Sequence, residues 1–256
     1  AGLARDIRGR VGTVGLAVQA AMVSGGAGSV DGAALDDLTT AEPLLSFAHE
    51  QVADIKVIPA TNLTLPGYLT MFVFFAAALS AEAIARERQS HTLERLLSNG
   101  TKRSAILFGK FLSSVYRGTL QLAVLWGMGL FVFGVDVGVS PIAVVTVSAL
   151  MVLASAAFGV MLASMVNSIR AAASAGVLAS LTFAPLGGSW WPLFIAPTWQ
   201  QQLGKLVPHG WANTAFNKLM LFGAEGSDVL LEMLALALIA VGFMAVAMVR
   251  VRTAPA

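Results

Sequence analysis

The residues best able to do chemistry are concentrated in one charged segment, residues 86–103, between two long apolar runs. Seven of the 16 Lys and Arg residues lie from Arg86 to Arg117, and His91 lies in the same stretch. In a chain that is 57% hydrophobic and 12% charged, this segment cannot lie in lipid. Its side chains suit ion pairing in water, so we expect it at one face of a membrane. There it is either a docking surface or an ordinary positively charged loop.

The remaining polar residues form no catalytic or metal-binding pattern. His49, His91 and His209 lie in three segments without ligand spacing, and the chain has no cysteine. The Gly109-Lys110 pair lacks the upstream glycine of a nucleotide-binding P-loop, and no metalloprotease or serine-hydrolase motif occurs. The sequence therefore predicts no catalytic residue, no metal site and no cofactor bound by this chain. A net charge of +2 gives no indication of a nucleic-acid partner.

The apolar runs that flank the charged segment predict an all-α polytopic membrane protein. The mean hydropathy is +0.77, and a helix needs about 20 mostly apolar residues to cross a bilayer. Five segments meet this criterion, at about 67–85, 118–135, 141–166, 171–196 and 229–249.

The distribution of basic residues predicts the orientation of these spans. In the loops between and after these five spans, ten Lys and Arg residues lie on the side of the charged segment and two on the other side. We therefore expect residues 86–103 and the C-terminus in the cytoplasm, and residues 1–66 outside as a small region of two helices around a glycine-rich loop. The membrane domain is expected at 67–252, followed by a short tail at 253–256.

Within the charged segment, the residue pattern predicts a short helix followed by a turn. Leu93, Leu96 and Leu97 form an apolar stripe at helical spacing. Asn99-Gly100 is a good helix stop, because both residues tolerate a left-handed backbone. Thr101 or Ser104 is expected to start the next helix. Just before this segment, Glu82 and Arg86 are one turn apart and are expected to form an ion pair.

The fourth predicted span is interrupted by helix-breaking residues. We expect this helix to break near the outer leaflet and to be followed by short helices at the outer surface, because freed backbone groups at membrane depth need protein or a cavity around them. Tryptophans that suit the lipid–water boundary cluster here. The helix-breaking residues within and after this span are Pro185, Gly187, Gly188, Pro192, Pro197 and Pro208. The tryptophans are Trp190, Trp191, Trp199 and Trp211.

Two motifs on opposite sides of the predicted membrane resemble a known family. The first is Arg86-Glu87-Arg88, Thr92-Leu93-Glu94-Arg95-Leu96-Leu97 and then Gly109-Lys110; the second runs from the break at Gly187-Gly188 to Pro208 and Trp211. Together they resemble the permease subunit of type-2 ATP-binding-cassette exporters. Two positions depart from the family pattern: Ser90-His91 replaces a usual glycine, and Asn99-Gly100-Thr101 replaces a common Thr-Pro.

The resemblance implies a fold, partners and roles for particular residues. Family members have six spans, so the first is expected to precede this sequence, and they work as dimers of permease halves above two ATPase domains. The chain would thus form a homodimer in a bacterial cytoplasmic membrane, with ATP and Mg²⁺ bound by the partner ATPase. The implied ATPase-coupling residues are Glu87, Arg88, Thr92, Leu93, Glu94, Arg95, Leu96, Leu97 and Lys110.

The function expected is that of a non-catalytic permease subunit in an ATP-driven exporter of lipid-like, drug-like or peptide cargo. The break is expected to form part of an outer gate, with the residues Pro185, Gly187, Gly188, Pro192, Pro208 and Trp211. A secondary transporter or channel is an alternative, although its ionisable residues would lie near mid-span and here lie near span ends. A membrane-anchored scaffold or sensor is a second alternative, although it would need a larger outer domain.

Overall fold

The computed structural model describes residues 60–253, and this part of the chain is helical, as the sequence predicts. Residues 1–59 of the predicted outer region 1–66 and residues 254–256 of the predicted tail 253–256 lie outside the described residues. The helices are α1 (Ala60–Gln89), α2 (Thr92–Ser98), α3 (Arg103–Phe131), α4 (Pro141–Met165), α5 (Ile169–Leu186), α6 (Thr198–Gly204), α7 (Pro208–Met220) and α8 (Leu230–Thr253). Short 3₁₀ turns at Leu193–Ile195 and Gly226–Val229 precede α6 and α8.

Four of the helical segments in residues 60–253 are long and apolar enough to cross a membrane: α1, α4, α5 and Gly226–Arg250. The predicted span at 118–135 lies in α3, which is not among the four. From Gly118 to the end of α3 at Phe131 the helix is about 21 Å long, less than the roughly 30 Å of hydrocarbon. Its first half carries Arg103, Lys110 and Arg117. The apolar part of α3 is therefore shorter than the sequence predicted.

Helix α3 nevertheless returns the chain to the end of the bundle where α1 begins. Gln121 Nε2 of α3 donates a 2.9 Å hydrogen bond to the Phe72 carbonyl of α1. Just beyond α3, the buried side-chain amide of Asn62 donates to the Asp136 carbonyl at 2.7 Å and accepts from the Asp136 amide at 3.1 Å. The two helices therefore run antiparallel, and one asparagine joins their ends.

Helix α1 begins earlier than predicted, at Ala60 rather than Gly67, and contains Pro66. It packs against α3, α4, α5 and α7. Small residues allow these helices to approach closely: a Cβ at Gly159 would lie 2.8 Å from the Ala77 carbonyl oxygen, and one at Gly176 would lie 2.5 Å from the Ala78 Cβ. Phe74 and Val73 of α1 are fully buried at this crossing. Helix α1 therefore lies at the centre of the bundle, with contacts to four other helices, α3, α4, α5 and α7.

Candidate functional site

The charged segment folds as an elbow, which we define as residues 90–102, between α1 and α3. Helix α2 ends with Asn99 as its C-cap, and Gly100 follows with φ +81°, so the predicted helix stop is confirmed. The predicted start of the next helix at Thr101 or Ser104 is wrong. Lys102 is the N-cap of α3, with an extended backbone and no side-chain capping bond.

The elbow begins with a strained residue. His91 has φ 54° and lies in the left-handed region, where an L side chain costs about 1–2 kcal/mol and glycine costs little. This is the place where the resembling family usually has glycine. The His91 imidazole Nδ1 lies 2.6 Å from Glu94 Oε2, but both side chains are exposed and the pair adds little stability.

Three of the predicted coupling residues hold helices together at the end of the bundle where the elbow lies. Arg88 donates hydrogen bonds of 3.1 Å to the carbonyls of Ala163 and Val166, where α4 ends and its last carbonyls lack helical partners. Glu87 of α1 forms an ion pair with Lys110 of α3. These side chains therefore fix the base from which α2 projects. Arg86 and Glu82 form the predicted ion pair beside them, at 2.6 Å.

The other predicted coupling residues lie on α2 and differ in exposure. Glu94, Arg95 and Leu96 are exposed, Thr92 and Leu97 are half-buried, and the side chain of Leu93 is outside the described part of the structure. Helix α2 packs on the end of α1. Its exposed residues therefore present one apolar and two charged side chains at the surface.

The second candidate site is the break after α5, which we define as residues 185–192. Helix α5 ends at Leu186, and Gly188 has φ +78°. Side chains from later helices donate hydrogen bonds to two backbone carbonyls there. Gln200 Nε2 of α6 donates to the Pro185 carbonyl at 3.0 Å, and Asn213 Nδ2 of α7 donates to the Gly187 carbonyl at 2.8 Å. Protein therefore supplies the hydrogen bonds that water would give elsewhere.

A buried polar cluster joins the break to α1 and α7. The Thr70 hydroxyl lies 3.0 Å from the Ser189 hydroxyl and 3.0 Å from Asn213 Oδ1, and Asn213 Nδ2 lies 3.1 Å from the Ser189 hydroxyl. All three side chains are at least nine-tenths buried. Thr70 and Asn213 were not predicted from the sequence, because single polar residues in apolar helices do not show which partner they face.

Glycines bring the backbones at the break into direct contact. A Cβ at Gly67 would lie 2.0 Å from the Ser189 carbonyl oxygen, and one at Gly187 would lie 2.2 Å from the His209 Cβ. A Cβ at Gly210 would lie 2.0 Å from the Gly204 carbonyl oxygen. The break therefore packs tightly on α1, α6 and α7, and only Gly187 of these positions was singled out from the sequence.

The remaining residues predicted at the outer gate lie around this packing. Pro192 precedes the first 3₁₀ turn, and Pro208 is the first residue of α7. Trp211 Nε1 donates a 2.8 Å hydrogen bond to the Lys205 carbonyl. Trp190, Trp191 and Trp199 are exposed. The polar cluster and the elbow lie at opposite ends of α1, so the predicted residues form two sites.

His209 is completely buried beside the break, between two aromatic rings. Its ring centroid lies 4.6 Å from that of Phe74 and 6.3 Å from that of Phe183. Neither imidazole nitrogen has a hydrogen-bond partner within residues 60–253. Burial lowers the pKa of His209 from 6.5 to about 3, so the ring is neutral near pH 7. Within residues 60–253, no group of three or more His, Cys, Asp and Glu side chains is arranged to hold a metal ion.

Most of the chain matches a known protein family. The model of the family described as ABC-2 family transporter protein matches residues 47–249. The chain belongs to the ABC-2 family of transporter proteins. The type-2 family proposed from the two motifs is therefore confirmed at the level of the family.

Two relatives of this ABC-2 chain are similar over about 160 residues each. It is 27% identical to the linearmycin resistance permease protein LnrN of Bacillus subtilis (strain 168) over 164 residues, which are 64% of this chain and 42% of that protein. It is 26% identical to ABC transporter G family member 20 of Dictyostelium discoideum over 161 residues, 62% of this chain and 22% of that protein. The chain thus spans less than half the length of either relative.

The close packing at the break predicts a strong effect of one methyl group. Gly187→Ala is expected to lower the free energy of unfolding by about 1–3 kcal/mol, because the new Cβ overlaps His209 and Gly210. Gly127→Ala in α3 is the matched control, since its Cβ meets no atom within 4 Å. It is expected to stabilise the helix by about 0.5–1 kcal/mol. Thermal unfolding of both variants in the same detergent checks this, and equal melting temperatures would contradict it.

Burial of His209 predicts that acid destabilises the ABC-2 chain. The unfolded imidazole takes up a proton below pH 6.5, whereas the folded one does so only near pH 3. The free energy of unfolding therefore falls as pH is lowered between these values, by up to about 1.4 kcal/mol per pH unit. His209→Phe should reduce this slope, and His91→Asn at an exposed position should not. Chemical unfolding at several pH values measures it; an unchanged slope in His209→Phe would refute this account.

Proposed function

We propose that this ABC-2 chain is the permease subunit of an ATP-driven exporter, with the ATPase on a separate partner. The main observation behind this proposal is the exposed face of α2. This helix projects from a base of ion pairs and helix-end hydrogen bonds. This sequence has no nucleotide-binding motif, so the energy must come from outside it. ATP and Mg²⁺ are then bound by the partner ATPase, and the permease takes no part in catalysis.

The proposed mechanism uses the elbow as the contact for the ATPase. When the ATPase domains close, they move α2, and Arg88 and Glu87 couple this movement to α4 and α3. The bundle then shifts between two states with different affinities for cargo on the two sides of the membrane. A second permease half, most simply a second copy of this chain, completes the pathway.

The proposed topology follows from the charges at the two ends of the bundle. The elbow end carries most of the Lys and Arg residues, and the positive-inside rule places it in the cytoplasm of a bacterial cell. Residues 1–66 and the break then lie on the outer side. Among lipid-like, drug-like and peptide cargo, the name of the Bacillus relative, a resistance permease, favours the drug-like class.

Coupling is tested by truncating the side chains of the elbow. We expect the combined variant Glu94→Ala, Leu96→Ala and Leu97→Ala to bind the ATPase at least about tenfold more weakly, because truncated interface anchors cost more than about 1 kcal/mol each. Transport should be lost while insertion into the membrane persists. Leu120→Ala, at an exposed residue of α3, is the control. Co-purification of the ATPase and cargo-stimulated ATP hydrolysis are the measurements, and wild-type values for both would reject the proposed coupling.

The gate role of the break is tested by locking it to α1. The chain has no cysteine, and the hydroxyls of Thr70 and Ser189 are 3.0 Å apart, so Thr70→Cys with Ser189→Cys provides a single oxidisable pair. Under oxidation we expect transport to fall at least about tenfold and to recover with reductant. The two single-cysteine variants are the controls. Full transport by the crosslinked protein would show that the break does not move during export.

A further inference from the structure

A long apolar groove lies between α3, α4 and α8, at the elbow end of the bundle. Its volume is about 750 Å³, and its lining includes Phe108 and Phe111 of α3, Leu153 of α4, and Ala240, Met244 and Met248 of α8. Helix α8 packs mainly on α4, whereas α3 packs on α1 and α4. Helices α3 and α8 therefore diverge above α4 and leave the groove open on one side.

The polarity of the groove changes along its length. Ser104, in the first turn of α3, is its one polar lining residue, and the lining beyond it is apolar. Exposed Lys102 immediately precedes α3, and exposed Arg250 follows the lining residue Met248 by two positions. One end of the groove is therefore next to positive charge, while the rest is next to hydrocarbon.

Three carboxylates near this end already have partners other than Lys102. Glu82, Glu87 and Glu94 are paired, with Arg86, Lys110 and His91 respectively. An anionic group at the mouth of the groove therefore meets the charge of the exposed Lys102. Each cation near a membrane surface strengthens the binding of an anionic lipid roughly fivefold.

The length of the groove matches the acyl chains of one leaflet. Along α8 the lining runs from Ala237 to Met248, which is roughly 17 Å of helix. One leaflet supplies about half of the roughly 30 Å of hydrocarbon in a bilayer, so an acyl chain with its headgroup near Ser104 spans the groove. An acyl chain is also flexible and follows a curved apolar wall.

From this shape and charge we propose that the groove is a binding site for an anionic phospholipid from the leaflet at the elbow end. Its acyl chains lie along Phe108, Leu153 and Ala240, and its phosphate lies near Ser104 and Lys102. The site is separate from the elbow surface and from the break. The proposal depends on insertion of the chain into a membrane. It does not depend on the identity of the cargo or of the ATPase.

The proposal is tested by native mass spectrometry of the purified protein with equimolar phosphatidylglycerol and phosphatidylcholine. We expect phosphatidylglycerol to be retained at least about fivefold more strongly. Ala240→Trp fills the groove and should reduce this retention by a similar factor. Ala245→Trp, on an exposed part of the same helix, is the matched control. Lys102→Gln should reduce the preference for phosphatidylglycerol roughly fivefold, whereas Lys205→Gln at the other end should not.

Several results would overturn the proposal. Equal retention of the two lipids, or equal effects of Ala240→Trp and Ala245→Trp, would show that the groove has no selective lipid site. A change in subunit number for Ala240→Trp with unaltered lipid retention would show that another protein surface fills the groove. Melting temperatures identify any variant that fails to fold. Ala237→Phe then replaces Ala240→Trp, and Lys102→Gln tests the charge at an exposed position.

Discussion

Backbone polar groups cannot be left without partners in apolar surroundings, and the break after α5 is where this constraint is most demanding. The Gly187 carbonyl lies beyond the end of α5, and the Pro185 carbonyl, in its last turn, accepts a hydrogen bond from the Gly188 amide. Each unsatisfied group there would cost several kcal/mol. Gln200 and Asn213 bond them, and for these two side chains to reach them, α6 and α7 must pack against the break. The glycine contacts between these segments follow from the same requirement.

The same constraint, met differently, organises the other end of the bundle. The last carbonyls of α4 accept hydrogen bonds from Arg88 of α1, so a cation supplies both the donors and the favourable charge at a helix C-terminus. This gives Arg88 a structural role in addition to any contact with an ATPase. This end of the bundle therefore has an inner layer, in which Arg88 and Glu87 fix α1 to α4 and α3, and an outer layer of exposed side chains on α2.

The sequence predicted features that depend on local residue types, and it missed features that depend on distant partners. Asn99-Gly100 ends α2 and Gly187-Gly188 ends α5 because these residues tolerate the backbone angles of a helix end. The Thr70–Asn213 contact joins residues 143 positions apart, and no local pattern indicates it. The length of the α3 span was overestimated because apolar residues 132–135 continue beyond the end of the helix. At His91 a local signal was visible in the sequence, because the family usually has glycine at this place. The structure has a left-handed backbone at His91, which is the conformation that glycine adopts most readily.

Helix α1 is continuous between the two sites, and this has a mechanical consequence. From Glu87 to Gly67 the helix is about 30 Å long. A tilt of about five degrees about its elbow end displaces Gly67 by roughly 2.6 Å. At Gly67 the backbone already touches that of Ser189 so closely that a methyl group does not fit. An angular change too small to alter the contacts at one end therefore becomes, at the other, a displacement larger than the available clearance.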